Sequence, residues 1–71
     1  MKYYIENDVK CRLIAYEKYS KTTITFFKNV YNKENYLKSL SDLKMNLNID
    51  KIIKVENGEE EVLFEKQKQN K

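Results

Sequence analysis

Residues 32–49, NKENYLKSLSDLKMNLNI, carry the helical pattern that most constrains how this chain can fold. The apolar residues of this segment recur at the spacing of a stripe along one side of an α-helix. No other segment of the sequence is helically periodic for as long. We therefore predict one amphipathic helix of about three turns, lying across a sheet formed by the rest of the chain. The predicted stripe consists of Tyr36, Leu37, Leu40, Leu43 and Leu47.

The ends of the predicted helix are set by capping residues. Asn32 is a suitable N-cap, and Glu34 in the first turn complements the helix dipole. Ser39 or Ser41 offers a later start, which would shorten the helix to about two turns. Asparagine is a poor helix former, and it occupies positions 46 and 48. We therefore expect the helix to end near Leu47 or Asn48.

Three segments before the helix have the residue types of β-strands. Residues 2–6 are rich in Tyr and Ile, and residues 22–31 are rich in Thr, Ile, Phe and Val. In the second segment, 9–16, apolar and polar residues alternate, which predicts a half-buried antiparallel strand. Residues 17–21 read as its connecting loop. The core face of this strand is predicted to carry Val9, Cys11, Leu13 and Ala15.

The hairpin after the helix has the clearest turn signal in the sequence. Asn57-Gly58 separates two strand-like runs, and a type I′ turn needs positive φ at both of its central residues. A two-residue loop pairs Glu56 with Glu59 and Lys54 with Glu61, whereas a three-residue bulged loop remains an alternative. The two-residue loop also predicts one apolar face, made by Ile53, Val55, Val62 and Phe64.

These elements predict an α+β fold: a small antiparallel sheet of four to five strands with one amphipathic helix on one face, in the order β-β-β-α-β-β. A chain of 71 residues has room for one domain. We place this domain at residues 1–66 and a frayed polar tail at 67–71. An edge strand such as 2–6 or 62–66 could pair with its copy and form a homo-oligomer.

Several classes of function are disfavoured by composition. The chain has no His, one Cys and one Gly, so Ser-His and Cys-His catalysis, structural zinc and glycine-rich phosphate loops lack their residues. We expect no enzyme activity, no cofactor and no metal. Cys11 is interpreted as a small core residue. The sequence lacks a membrane-spanning apolar run and a signal peptide, which favours a cytoplasmic protein without membrane association.

A basic and aromatic surface is the first candidate site. If the strands around residues 9–16 and 22–31 pair, one sheet face presents Arg12, Tyr16, Phe27 and Tyr31. Arginine and tyrosine are enriched in protein-binding hot spots, so this face is predicted to bind a protein. The alternative is that Ile14 and Phe27 cover a second small core or a dimer contact.

An acidic hairpin is the second candidate site, with Glu59, Glu60 and Glu61 at its tip. Clustered carboxylates can imitate a phosphate backbone for a nucleic-acid-binding protein. Frequent Lys, Asn, Ile and Tyr are typical of an AT-rich genome. The combined hypothesis is a small non-catalytic protein-binding domain, of the kind that a phage or mobile element uses as an anti-defence inhibitor, which covers the surface of a host factor.

A nucleic-acid-binding protein is the alternative hypothesis. The net charge is a modest +3, but basic residues are concentrated between residues 9 and 33, and aromatic residues lie among them. Lysines around aromatic side chains on a sheet are typical of single-strand binding surfaces. The residues predicted to contact nucleic acid are Lys10, Arg12, Lys18, Lys21, Lys28 and Lys33.

Overall fold

The computed structural model describes residues 8–67, which form a four-stranded antiparallel sheet with one helix. This confirms the predicted α+β class. The predicted first strand at 2–6 and residues 68–71 of the predicted tail lie outside the described residues. The strands lie side by side in the order β2-β1-β3-β4, and each neighbouring pair is antiparallel. The elements are β1 (Val9–Tyr16), β2 (Lys21–Phe27), α1 (Lys33–Lys44), β3 (Lys51–Glu56) and β4 (Glu59–Glu65).

The core lies between the helix and one face of the sheet, which we call the helix side. Leu13 and Ile52, on the two central strands, are completely buried there, and Ala15 and Ile49 are nearly so. Burial of such side chains is the main stabilising contribution that a chain of this size can make without disulfides. The partly buried residues packed against this cluster are Ile24, Phe26, Tyr36, Leu40, Leu43, Leu63 and Phe64.

The helix begins where the sequence predicts. Asn32 Oδ1 accepts hydrogen bonds from the backbone N–H of Glu34 at 2.7 Å and of Asn35 at 3.3 Å. These bonds satisfy two of the donors that a helix start leaves without intrahelical partners. The early start at Asn32 is therefore confirmed over the later starts at Ser39 or Ser41.

The helix ends about one turn before the predicted end. Its last residue is Lys44, because the Asn46 side chain accepts the backbone N–H of Asn48 at 2.9 Å and stabilises a turn in place of another helical turn. The predicted stripe is consequently wrong at Leu47, which is 84% exposed, and Leu37 at its margin is also about half exposed. Ile49, just beyond the turn, occupies the core instead.

Strand β2 is shorter than the segment 22–31 that the sequence predicts for it. It starts at Lys21, so the connecting loop is 17–20, and it ends at Phe27. There the Val30 N–H donates to the Phe27 carbonyl at 3.1 Å and closes a turn. Polar Lys28 and Asn29 favour this turn. A strand that continued through 22–31 would have placed Val30 on the same face as Ile24 and Phe26, but Val30 is exposed in the turn.

The bounds of β1 and most of its core face are confirmed, with Cys11, Leu13 and Ala15 buried. A register shift lies between Val9 and Cys11, and it leaves Lys10 as an extra residue. Val9 therefore pairs with Phe27 and leaves the core face on which the alternation had placed it.

The predicted hairpin is confirmed with its two-residue loop. Asn57 and Gly58 both have positive φ, 55° and 79°, as a type I′ turn requires. The predicted pairs Glu56–Glu59 and Lys54–Glu61 are also present. A register shift next to Ile53 then pairs Phe64 with Ile52. The prediction that Phe64 shares a face with Ile53, Val55 and Val62 is wrong, because the extra residue Leu63 turns Phe64 to the helix side.

Candidate interaction surfaces

We call the sheet face that points away from the helix the far face. It is formed by residues that are cross-strand partners on neighbouring strands. Side chains of cross-strand partners lie on the same side of a sheet, so the register identifies the members of this face. They are Val9, Arg12, Ile14, Tyr16, Lys21, Thr23, Thr25, Phe27, Lys51, Ile53, Val55, Glu60, Val62 and Glu65.

Apolar side chains from three adjacent strands meet at the centre of the far face. Ile14 lies opposite Ile53, which in turn lies opposite Val62. Ile53 is buried, Ile14 is half-buried and Val62 is 52% exposed. Val55 extends this apolar row along β3. The far face therefore has an apolar centre, and its charged residues lie toward the ends and the β4 edge.

The predicted basic and aromatic set is on the far face in part. Arg12 and Tyr16 lie on either side of Ile14 along β1, and Phe27 follows Thr25 on the same face of β2. Tyr31 is not there, because β2 ends before it. Its ring lies 6.2 Å from the ring of Phe26 and 6.1 Å from that of Tyr36, on the helix side. The predicted grouping of Tyr31 with Arg12 is therefore wrong.

Two glutamates of the β3–β4 hairpin, Glu56 and Glu61, form ion pairs with lysines. Glu56 lies 3.0 Å from Lys10 and 3.4 Å from Lys54, and Lys54 also lies 3.6 Å from Glu61. The hydrogen bond with Lys10 lowers the pKa of Glu56, and the same bond raises the pKa of Lys10. Burial opposes the charge on Lys54, but nearby Tyr36 and the two carboxylates outweigh it and raise the pKa of this lysine.

The three predicted contact glutamates do not share one face. Glu60 lies opposite Val55 on the far face, whereas Glu59 and Glu61 lie opposite Glu56 and Lys54. Adjacent strand residues point to opposite sides of a sheet, so one flat partner cannot engage all three carboxylates equally. Within residues 8–67, no group of three or more acidic or cysteine side chains is arranged to hold a metal ion.

The predicted nucleic-acid set is divided between the two ends of the sheet. Lys10, Arg12 and Lys28 line a cleft of about 350 Å³ near the hairpin turn. The cleft lies at the end of the β1–β3 pairing, whose last pair is Arg12–Val55. Lys18 and Lys21 lie at the opposite end of the β1–β2 hairpin, and at the rise of a strand Lys21 is about 20 Å from Lys10 and about 13 Å from Arg12. Lys33 begins the helix.

Cys11 is buried and its thiol is free. Burial raises the pKa of this thiol, which disfavours the nucleophilic thiolate. The prediction that Cys11 is a small core residue is therefore confirmed.

Sequence reasoning missed the apolar centre of the far face. The hairpin pattern placed Ile53, Val55 and Val62 on one face, and the β1 pattern placed Ile14 on the face of Arg12. Only the strand order, with β1 beside β3, brings these two groups together. No signal within either segment specifies that order.

Comparisons with known proteins leave this surface to be interpreted from its own geometry. Within residues 8–67, no helix has the length and apolar character needed to cross a membrane. Searches against protein-family models, curated proteins and solved structures find no match to this chain.

Proposed function

We propose that this chain is a small non-catalytic protein-binding domain that acts by occupying the surface of a partner protein. The observation that supports this most directly is the apolar centre of the far face, formed by Ile14, Ile53 and Val62 with Val55 beside them. Charged residues lie toward its ends and along the β4 edge, and threonines lie on its β2 side. Protein interfaces combine an apolar centre with a polar rim in this way, and Arg and Tyr are frequent among their strongest contacts.

The charges on the far face support a partner of complementary charge. Basic residues Lys21 and Lys51 lie toward one end of the face, whereas Glu60 and Glu65 lie along the β4 edge. The complementary surface has an apolar patch, acidic groups opposite the lysines and basic groups opposite β4. Complementary charges would steer association and fix the orientation of the partner.

A host nucleic-acid-binding factor is the target class that this arrangement favours. Carboxylates along β4 would occupy a basic groove where a phosphate backbone otherwise binds. In this proposal the chain is a cytoplasmic inhibitor from a phage or a mobile element, and it works by covering the host factor. The small size of the chain and its frequent Lys, Asn, Ile and Tyr, which are typical of an AT-rich genome, support this origin.

The test compares two variants that introduce the same charge at different surfaces. Val62→Lys places a lysine at the apolar centre of the far face, and Leu47→Lys places one at an exposed position after the helix. Each protein is immobilised, host proteins that it retains are identified, and their affinities are measured after purification.

We expect a partner that binds the wild type and the Leu47→Lys control but binds Val62→Lys at least tenfold more weakly, a difference of about 1.4 kcal/mol. The proposal fails if no host protein binds the wild type. It also fails if the bound proteins do not distinguish the two variants.

The cleft lined by Lys10, Arg12 and Lys28 supports nucleic-acid binding as the second candidate function. Three basic side chains around one cleft would attract phosphates, although Glu56 lies 3.0 Å from Lys10 and reduces this attraction. Labelled single- and double-stranded DNA and RNA should be titrated at several salt concentrations. Binding that weakens steeply with salt, and that Lys28→Ala reduces more than Lys18→Ala, would favour this function over the first.

A further inference from the structure

The two edge strands of the sheet differ sharply in charge. β4 carries four glutamates, at positions 59, 60, 61 and 65. β2 has no charged residue after Lys21 and continues as Thr-Thr-Ile-Thr-Phe-Phe. Charged side chains on an edge strand oppose pairing with another strand, whereas an uncharged edge rich in β-branched residues permits it.

The backbone of β2 directs regularly spaced hydrogen-bonding groups away from the sheet. At one end of the β1–β2 hairpin the Glu17 N–H donates to the Ser20 carbonyl, and at the other the Lys28 N–H donates to the Asp8 carbonyl. Hydrogen-bonded pairs alternate along an antiparallel ladder. It follows that the N–H and C=O groups of Thr23 and Thr25 point outward. No strand within residues 8–67 pairs with this edge.

We propose that β2 pairs in antiparallel fashion with β2 of a second copy of this chain, about a two-fold axis at Ile24. In this register Thr23 of each copy lies opposite Thr25 of the other, so outward backbone groups meet outward backbone groups. The whole of Lys21–Phe27 takes part, and the two sheets become continuous. Cross-strand threonine pairs are themselves favourable.

Charge favours this register and disfavours pairing of β4 with its copy. The two Lys21 residues are separated by six strand positions, about 20 Å, so they do not repel each other strongly. A copy of β4 paired about Val62 would place Glu59 directly opposite Glu65. Like charges in that position destabilise a strand pair.

The pairing would also continue both sides of the sheet across the two-fold axis. On the helix side, partly buried Ile24 would meet Ile24 of the second copy and extend the core. On the far face, Thr23 and Thr25 would join the far faces of both copies into one surface. This inference does not depend on the identity of any other partner.

Two double variants at the same positions test both the pairing and its register. Thr23→Lys with Thr25→Lys opposes like charges across the interface, whereas Thr23→Lys with Thr25→Glu opposes unlike charges. Sedimentation is measured from low to high micromolar concentration, and circular dichroism checks that each variant is folded.

We expect the wild type to dimerise as its concentration rises, the lysine–lysine variant to remain a monomer, and the lysine–glutamate variant to dimerise at least as well as the wild type. A wild type that remains a monomer at the highest concentration would overturn the proposal. Equal dimerisation of the two double variants would also overturn it.

Amide hydrogen exchange in the wild type provides a test without substitutions. In the monomer the Thr23 and Thr25 amides have no backbone partner within residues 8–67 and should exchange quickly, whereas those of Thr22 and Ile24 are bonded to β1. In the dimer all four should be protected. Protection of Thr23 and Thr25 that rises with protein concentration would support the pairing, and exchange independent of concentration would contradict it.

Discussion

The two faces of the sheet are built from alternate residues of the same strands, yet they differ in burial. On the helix side, Leu13 and Ile52 are completely buried. On the far face, Ile53 is the only buried residue within residues 8–67, the neighbouring residue Ile14 is half-buried and Val62 is 52% exposed. Apolar residues occur on both faces, so hydrophobicity alone does not distinguish them. The difference comes from the helix, which covers one of them.

The helix covers the core with a narrow set of side chains. Tyr36, Leu40 and Leu43 pack against the buried cluster, but no residue of α1 is itself fully buried. Such a thin layer implies that stability depends strongly on the residues beneath it. Substitutions on the two faces should therefore have unequal effects.

The largest expected difference in stability is between substitutions at two adjacent aliphatic residues of β1. We expect Leu13→Ala to reduce the free energy of unfolding by about 2–5 kcal/mol, since it leaves a cavity in a fully buried site. Ile14→Ala should cost distinctly less, because the Ile14 side chain is half-buried and its surroundings can relax. Urea denaturation of both variants measures the difference. Equal losses would show that the far face is as much a core as the helix side.

A smaller effect is expected from weakening the helix start. Asn32→Ala removes the side chain that accepts hydrogen bonds from two backbone N–H groups. It should lower the free energy of unfolding by about 1 kcal/mol. Ser41→Ala is the matched control, since Ser41 lies inside the helix, where alanine is favourable. Thermal unfolding followed by circular dichroism compares the two. A larger loss for Ser41→Ala would contradict the assigned helix start.

The smallest effect concerns the ion pair of Glu56 with Lys10. In the folded protein the pKa of Glu56 lies below its ordinary value of 4.5. The stability that the ionised carboxylate contributes is therefore present above pH 4.5 and is lost as the pH falls through the lowered pKa. We expect Glu56→Gln to reduce stability slightly at neutral pH, with the difference from the wild type disappearing in acid.

The control for this pH dependence is Glu60→Gln. Glu60 lies on the same hairpin, and within residues 8–67 it makes no ion pair. Its substitution should change stability little at either pH. Urea denaturation at neutral pH and well below pH 4.5 provides the measurement, and a difference for Glu56→Gln that persists in acid would contradict the assigned role.

Local signals in the sequence predicted several elements correctly. Asn32 caps the helix, β1 has the predicted bounds, and Asn57-Gly58 forms the predicted two-residue turn. Each of these depends on backbone preferences and hydrogen bonds within a few residues. Such interactions are nearly independent of the rest of the chain, so the sequence specifies them directly.

The errors arose where local preferences competed with one another. Asn46 ended the helix before Leu47, and the turn after Phe27 ended β2 before Tyr31. At Lys10 a bulge disturbed the alternation of β1, and side chains beyond it changed faces. A single extra residue moves the side chains beyond it to the other face of the sheet. The free-energy cost of such a bulge depends on contacts with distant parts of the chain.

The sequence by itself determined which elements form in this protein and where its clearest turns lie, because those choices are made by short-range sterics and hydrogen bonding. The tertiary structure alone decided that β1 lies between β2 and β3, and so which apolar residues share the far face. Strand order depends on burying one continuous core between the helix and the sheet. That free energy belongs to contacts between segments, and no single segment encodes it.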